Sequence, residues 1–163
     1  MQELVHESIY ADVLIIDQKG TFSIFGQPTP ANFLRELLVD VQCPVLVAPD
    51  KFRKIGNIVF LYDGEPSSVF AIKMFSHTFP SLSGKNVEVV IVKNKFETLH
   101  VPNGKLMREF MKRRYPEAEF IIEKGDAEDN IVSYLKNKKQ PLPGGVRCIQ
   151  EKQGFEMVQA KYG

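Results

Sequence analysis

Five short apolar runs punctuate the chain: Asp12 to Asp17 (DVLIID), Pro44 to Ala48 (PVLVA), Asn57 to Tyr62 (NIVFLY), Val87 to Val92 (VEVVIV) and Ala118 to Glu123 (AEFIIE). Most are nearly continuous in Val, Ile, Leu and Phe rather than alternating. That pattern suits strands buried on both faces, as in parallel sheets. Helical spacing falls between the runs. Thr29-Pro30 reads as an N-cap with Pro at the first helical position, ahead of Phe33, Leu34, Leu37 and Leu38 on one stripe. Pro66 opens a second helix, with Val69, Phe70 and Met74 expected to face inward. Asn103 is placed to cap a third, carrying Leu106, Met107, Phe110 and Met111 and ended by Pro116. Asp126 with Asp129 resembles a capping box ahead of Ile131, Val132 and Leu135. Strand and helix in alternation with short connections predict an α/β fold with a doubly wound parallel sheet. Two stretches depart from it. Residues 1–11 read as the last turns of a helix whose beginning is missing, and beyond Gln140 no clean period survives.

Composition narrows the class without naming a function. The 163 residues are one domain's worth, with 44% hydrophobic and 25% charged residues. Lys plus Arg is 21 and Asp plus Glu is 20, a balance that argues against bulk-charge binding to nucleic acid or anionic lipid. No apolar run approaches the length of a membrane span, and the start lacks a signal-peptide pattern, so a cytoplasmic location is expected. Cys43 and Cys148 are the only cysteines, which excludes a disulfide-dense scaffold and a CxxC motif.

Two strings carry a resemblance. FLRELLVDVQCPVLVAP (Phe33 to Pro49), following ADVLIID, is similar to the end of a universal stress protein domain: its fourth strand, last helix and fifth strand. KIGNIVFLYDGEPSSVFAIKMF (Lys54 to Phe75) is similar to the start of such a domain, and GDAEDNIVSYLK (Gly125 to Lys136) to the loop and helix after its third strand. The order is end-then-beginning. The chain therefore resembles a fragment of a tandem-repeat member: residues 1–50 the C-terminal part of a first repeat, and residues 51–140 the N-terminal part of a second. The linker falls near Asp50 to Gly56, and its Lys51, Arg53 and Lys54 read as a solvated connection. The resemblance implies a five-stranded parallel sheet in the order 3-2-1-4-5, often in tandem repeats, with ATP bound by some members.

Residues 141–163 stop the second repeat where its fourth strand would begin. Shifting the codons of this stretch by one base forces Trp across Met157-Val158 and Lys or Arg at five other boundaries. With permitted codons elsewhere the segment reads LVVSGAYRRSRVSRWFKQSM, an apolar strand, a Gly-bearing loop and a basic helix start. Residues 141–163 are accordingly read as an out-of-frame or disordered tail that packs poorly.

The resemblance also implies where a nucleotide would sit. Asp63, with Gly64, matches the family's aspartate after strand one, and Val92 is the nearest match for the backbone contact at the end of strand two; both belong to the adenine end. The strand carboxyl ends are where open α/β sheets hold ligands. The phosphate loop departs from the family pattern of G-x-x-G, nine residues, then G-S/T. Gln18, Thr21, Ala31 and Asn32 occupy its positions in the first repeat, with Gly20 and Gly26 out of register. In the second repeat the loop is missing. No cofactor is therefore assigned, ATP remaining the alternative.

The other chemical candidates have plain structural readings. Asp63-Gly64 is a common turn after a strand. Ser67 and Ser68 at a helix start could hold an anion, with helix-start solvation favoured. Lys105, Arg108, Lys112, Arg113 and Arg114 make a basic helix face without interleaved aromatics. His6, His77 and His100 lack ligand spacing, Cys43 reads as a small buried hydrophobe, and no GxSxG or similar nucleophile motif is present. The expectation is a non-enzymatic, stress-response or regulatory α/β protein that self-associates as a dimer or binds a partner through unpaired sheet edges. The alternative is an adenine-nucleotide-binding sensor. One further expectation is complementation within the chain, with the strands of residues 1–50 completing the sheet begun by residues 51–140. The link from Pro49 to Asn57 must then run back along the sheet, at about 3.3 Å per residue.

Overall fold

The computed structural model describes residues 2–17, 37–48, 55–137, 146–149 and 157–162. All five apolar runs form strands: β1 (Leu14–Asp17), β2 (Val45–Ala48), β3 (Ile55–Leu61), β4 (Asn86–Lys93) and β5 (Glu119–Lys124). Helices α1 (Gln2–Glu7), α2 (Pro66–Thr78), α3 (Gly104–Lys112) and α4 (Ala127–Asn137) fall where helical spacing placed them. Residues 37–40 are also helical, and Thr29-Pro30 lies outside the described residues. So do Gln18, Thr21, Ala31 and Asn32, and most of the linker; Gly56 already belongs to β3.

The sheet has seven strands in the order β1-β2-β6-β7-β3-β4-β5. The two additional strands, β6 (Val146–Ile149) and β7 (Met157–Tyr162), come from the tail. The stretch expected to pack poorly contributes a hairpin at the centre of the sheet. Its strands pair antiparallel, Val146 opposite Ala160 and Ile149 opposite Met157. The connection spans only residues 150–156, too few for the dozen or so that a parallel crossover needs. The α/β class holds, but the sheet is mixed rather than wholly parallel.

This hairpin fixes the direction of everything around it. β1 and β2 are parallel to each other, and β3, β4 and β5 are parallel among themselves. β2 is antiparallel to β6, β6 to β7, and β7 to β3. Three reversals leave β1 and β2 running opposite to β3, β4 and β5. The direct completion of one sheet half by the other is therefore replaced. β3 does not start as a strand parallel to β2; it runs opposite to it, with β6 and β7 lying between the two.

One face of β3 and β4 is covered by α2 and α3. Ile58, Phe60, Val87, Val89 and Ile91 pack there against Ala71, Ile72, Phe75, Met107 and Met111. Phe60 lies edge-on to Phe75 at 5.5 Å and tilted against Tyr115 at 5.3 Å. The fully buried stripe of α2 is Ser68, Ala71, Ile72 and Phe75; of the expected Val69, Phe70 and Met74, Val69 packs half-buried against the core, Met74 is half-buried and Phe70 is 45% exposed. The i, i+3, i+4, i+7 rule selects the observed set once Ser68 can bury its hydroxyl with partners. In α3 the expected stripe divides. Met107 and Met111 enter the core, whereas Leu106 stays 69% exposed. Tyr134 of α4 donates to Glu88 of β4 at 2.8 Å. Glu88 alternates with the core-facing Val87 and Val89, so α4 meets the opposite face.

A second, smaller cluster surrounds β1 and β2: Ile16, Leu37, Leu38, Val41, Cys43, Val45 and Val47, with Leu4, Val5 and Leu14 against it. Cys43 is buried there as a free thiol, and burial pushes its pKa up. Buried Ser8 ties α1 to this unit, donating to the carbonyl of Val5 at 2.7 Å and accepting from the backbone N–H of Gln42 at 3.0 Å.

Candidate functional site

The residues singled out at the carboxyl ends of β3 and β4 do lie together. Leu61 is in register with Val90, and the Tyr62 N–H donates to the Val90 carbonyl at 2.9 Å. Asp63 and Val92 each follow that pair by two residues, so both leave the same end of neighbouring strands.

Asp63 is already engaged by its own helix. Its Oδ1 accepts the backbone N–H of Glu65 at 2.8 Å and lies 3.0 Å from the Ser68 hydroxyl. Ser68 also donates to the Glu65 carbonyl at 2.8 Å, so its single proton is shared between the two oxygens. This is an Asx turn that caps α2, whose own N-cap residue Glu65 makes no side-chain cap bond. The buried Ser68 hydroxyl is therefore part of the cap rather than an open anion contact. Asp126 does the same for α4, its Oδ1 accepting the Asp129 N–H at 3.1 Å.

Gly64 owes its identity to backbone geometry. Its φ is +103°, and an added Cβ would stand 2.7 Å from Cβ of Pro102. The two loops are clasped at this point. Tyr62 is buried and its hydroxyl donates to the Pro102 carbonyl at 2.9 Å. Burial raises the Tyr62 pKa, and the neighbouring Asp63 charge adds to it.

Above the clasp lies a cavity of about 480 Å³ between α2 and α3. Tyr62, Val69, Leu106, Met107, Phe110 and Arg113 supply its walls. Helical spacing alone assigns Leu106 and Phe110 to the core stripe, which hides the cavity from the sequence.

The remaining candidates are scattered. His6, His77 and His100 lie on separate elements and are all exposed. No group of three or more His, Cys, Asp or Glu is arranged to hold a metal among the described residues. In the basic helix region, Arg108 lies over Phe120 at 4.8 Å and Arg114 over Phe110 at 4.2 Å. No helix among the described residues is long and apolar enough to cross a membrane.

The strand directions bear on any nucleotide site. The loop positions Gln18 and Thr21 follow β1, which runs opposite to β3. The chain thus leaves β1 at one end of the sheet, and Asp63 and Val92 lie at the other. No protein-family model matches the chain, and no curated protein matches it.

Proposed function

We propose that the chain is a non-enzymatic α/β module of universal-stress type that works by self-association, through the outer edge of β1, in a stress-response or regulatory role. The observation that carries this reading is the reversal of β1–β2 relative to β3–β5. It puts the end of β1 at the side of the sheet opposite Asp63 and Val92, and β1 is an outermost strand. The family component is supported by the succession β3-β4-β5, which parallels strands 1-2-3 of that family, and by the parallel β1–β2 pair, which parallels strands 4 and 5.

The two edges differ in how they are protected. β5 carries Glu119, Glu123 and Lys124, and its Phe120 lies under Arg108. Charges of this kind blunt an edge against pairing. β1 reads Leu-Ile-Ile-Asp, with Ile15 60% exposed, and the surrounding unit also exposes Ile9, Tyr10 and Val39. Exposed apolar groups around an edge with one charge, Asp17, against the three of β5 favour a second copy of the chain.

Sedimentation equilibrium of the full chain tests this. A dimer at micromolar concentration is expected, reverting to monomer in Ile15→Lys with an unchanged circular dichroism spectrum. A wild-type chain that stays monomeric overturns the reading. The second reading, an adenine-nucleotide sensor, is favoured by the shared position of Asp63 and Val92. Saturable micromolar ATP binding, abolished in Asp63→Ala while the fold persists, would establish it in place of the first.

A further inference from the structure

We infer that the cavity between α2 and α3 is a binding site for a small amphipathic anion, a molecule with an aliphatic or aromatic body and one carboxylate. The site is separate from the β1 edge and shares only Gly64, in its floor, with the adenine-end positions, and it stands whether or not the chain dimerises.

Its size is the first support. About 480 Å³ falls inside the range of small-molecule pockets, roughly 300–1,000 Å³. Its chemistry is the second. Val69, Leu106, Met107 and Phe110 give apolar walls, and Arg113 is the single charged residue on the lining. Apolar walls with one positive charge at their border select a ligand that carries one opposite charge on an apolar body.

The arrangement follows from how α3 is built. Asn103, Leu106, Met107, Phe110 and Arg113 recur at helical spacing and share one face of the helix region. The core takes only part of that face, through Met107 and Met111. Leu106 therefore remains 69% exposed, a large apolar side chain without a covering partner in the core. Three arginines lie close together here and only one is uncommitted. Arg108 lies over Phe120, and Arg114 lies over Phe110 and donates to the Ser76 hydroxyl at 3.2 Å. Arg113 makes no ion pair or ring contact with any described residue, so its guanidinium can take a carboxylate in two-pronged fashion.

The floor is held in shape before any ligand arrives. Gly64 packs against Pro102, and Tyr62 locks the Pro102 carbonyl by hydrogen bond. A floor fixed in this way needs no ordering on binding, which preserves affinity.

Decanoate, below its micellar concentration, is the probe, with decanol as its uncharged counterpart. Isothermal titration of the full chain is expected to show saturable decanoate binding. Arg113→Glu should weaken decanoate by about tenfold and leave decanol unchanged, the size of one lost charge-assisted hydrogen-bonded contact. Val69→Trp, which fills the cavity from the α2 side, should weaken both ligands. Thermal melts of each variant confirm that the fold persists; should Val69→Trp not fold, Leu106→Gln replaces it. Absence of saturable decanoate binding by the wild-type chain overturns the proposal. So does binding that both the Arg113 and the cavity variants leave intact, and so does decanol binding as tightly as decanoate.

Discussion

Replacing Gly64 by Ala tests the clasp on which both the Asp63 cap and the cavity floor depend. Gly64 has φ +103°, a region that L-residues rarely enter, and holding a non-glycine there costs about 1–3 kcal/mol. The new Cβ would also stand 2.7 Å from Cβ and 3.1 Å from Cγ of Pro102, inside van der Waals contact. The proline ring cannot swing aside as a flexible side chain would, and its carbonyl is held by Tyr62 at 2.9 Å. Relief of the collision thus requires the two loops to part, with loss of that hydrogen bond at about 1 kcal/mol. The combined destabilisation is about 2–4 kcal/mol, a large share of the 5–15 kcal/mol typical of a domain. Urea denaturation is the assay. With a slope near 2 kcal/mol per molar, the midpoint falls by about 1–2 M. Gly84 supplies the control, because a Cβ there meets nothing within 4 Å. Gly84→Ala should stay within about 0.5 kcal/mol of the parent. A Gly64→Ala loss below about 0.5 kcal/mol, or one equal to that of the control, refutes the reasoning.

Other perturbations follow from the same geometry. Asp63→Ala removes the acceptor for Glu65 N–H and Ser68 and should cost about 1–2 kcal/mol, while Asp63→Asn keeps an acceptor and should recover most of it, both read by urea midpoint. The Tyr115 hydroxyl is buried without a partner, so Tyr115→Phe should leave stability unchanged or raise it by about 1 kcal/mol in thermal denaturation. Burial pushes the Tyr115 pKa up from its ordinary 10.0 to about 12, against a smaller opposing influence of Arg114. The unfolded chain then releases this proton first. The stability that Tyr115 contributes is complete below pH 10 and is lost as pH rises toward 12, a decline that Tyr115→Phe should reduce. A decline of equal size in parent and variant would assign the loss to other groups.

Much of the fold was legible because apolar runs and helical spacing are local properties. All five runs became strands, and Pro66, Asn103 and Asp126 stand at or beside helix starts. What local pattern could not carry was direction. Whether β3 runs with β2 or against it depends on what lies between the two strands, which has no periodic signal in the residues that join them. The hairpin of β6 and β7 was likewise invisible, since residues 141–163 show no strand alternation strong enough to read. Helix faces were misjudged for a related reason. Hydrophobicity alone favoured Phe70 over Ser68, yet Ser68 is buried at 1% exposure because Asp63 and Glu65 accept its proton. The Asp63-Gly64 turn was readable from its residue types. The positive φ of Gly64 and its contact with Pro102 were not, because they join segments far apart in sequence. The cavity shares that origin, its walls coming from two helices far apart in sequence.

Backbone amide exchange at low and high protein concentration tests the self-association claim most directly, because it reports which strand edge is covered. Amides of β1, residues 14–17, are expected to gain protection as concentration rises, while those of β3, already paired on both sides, stay constant. Exchange in β1 that is independent of concentration would contradict it.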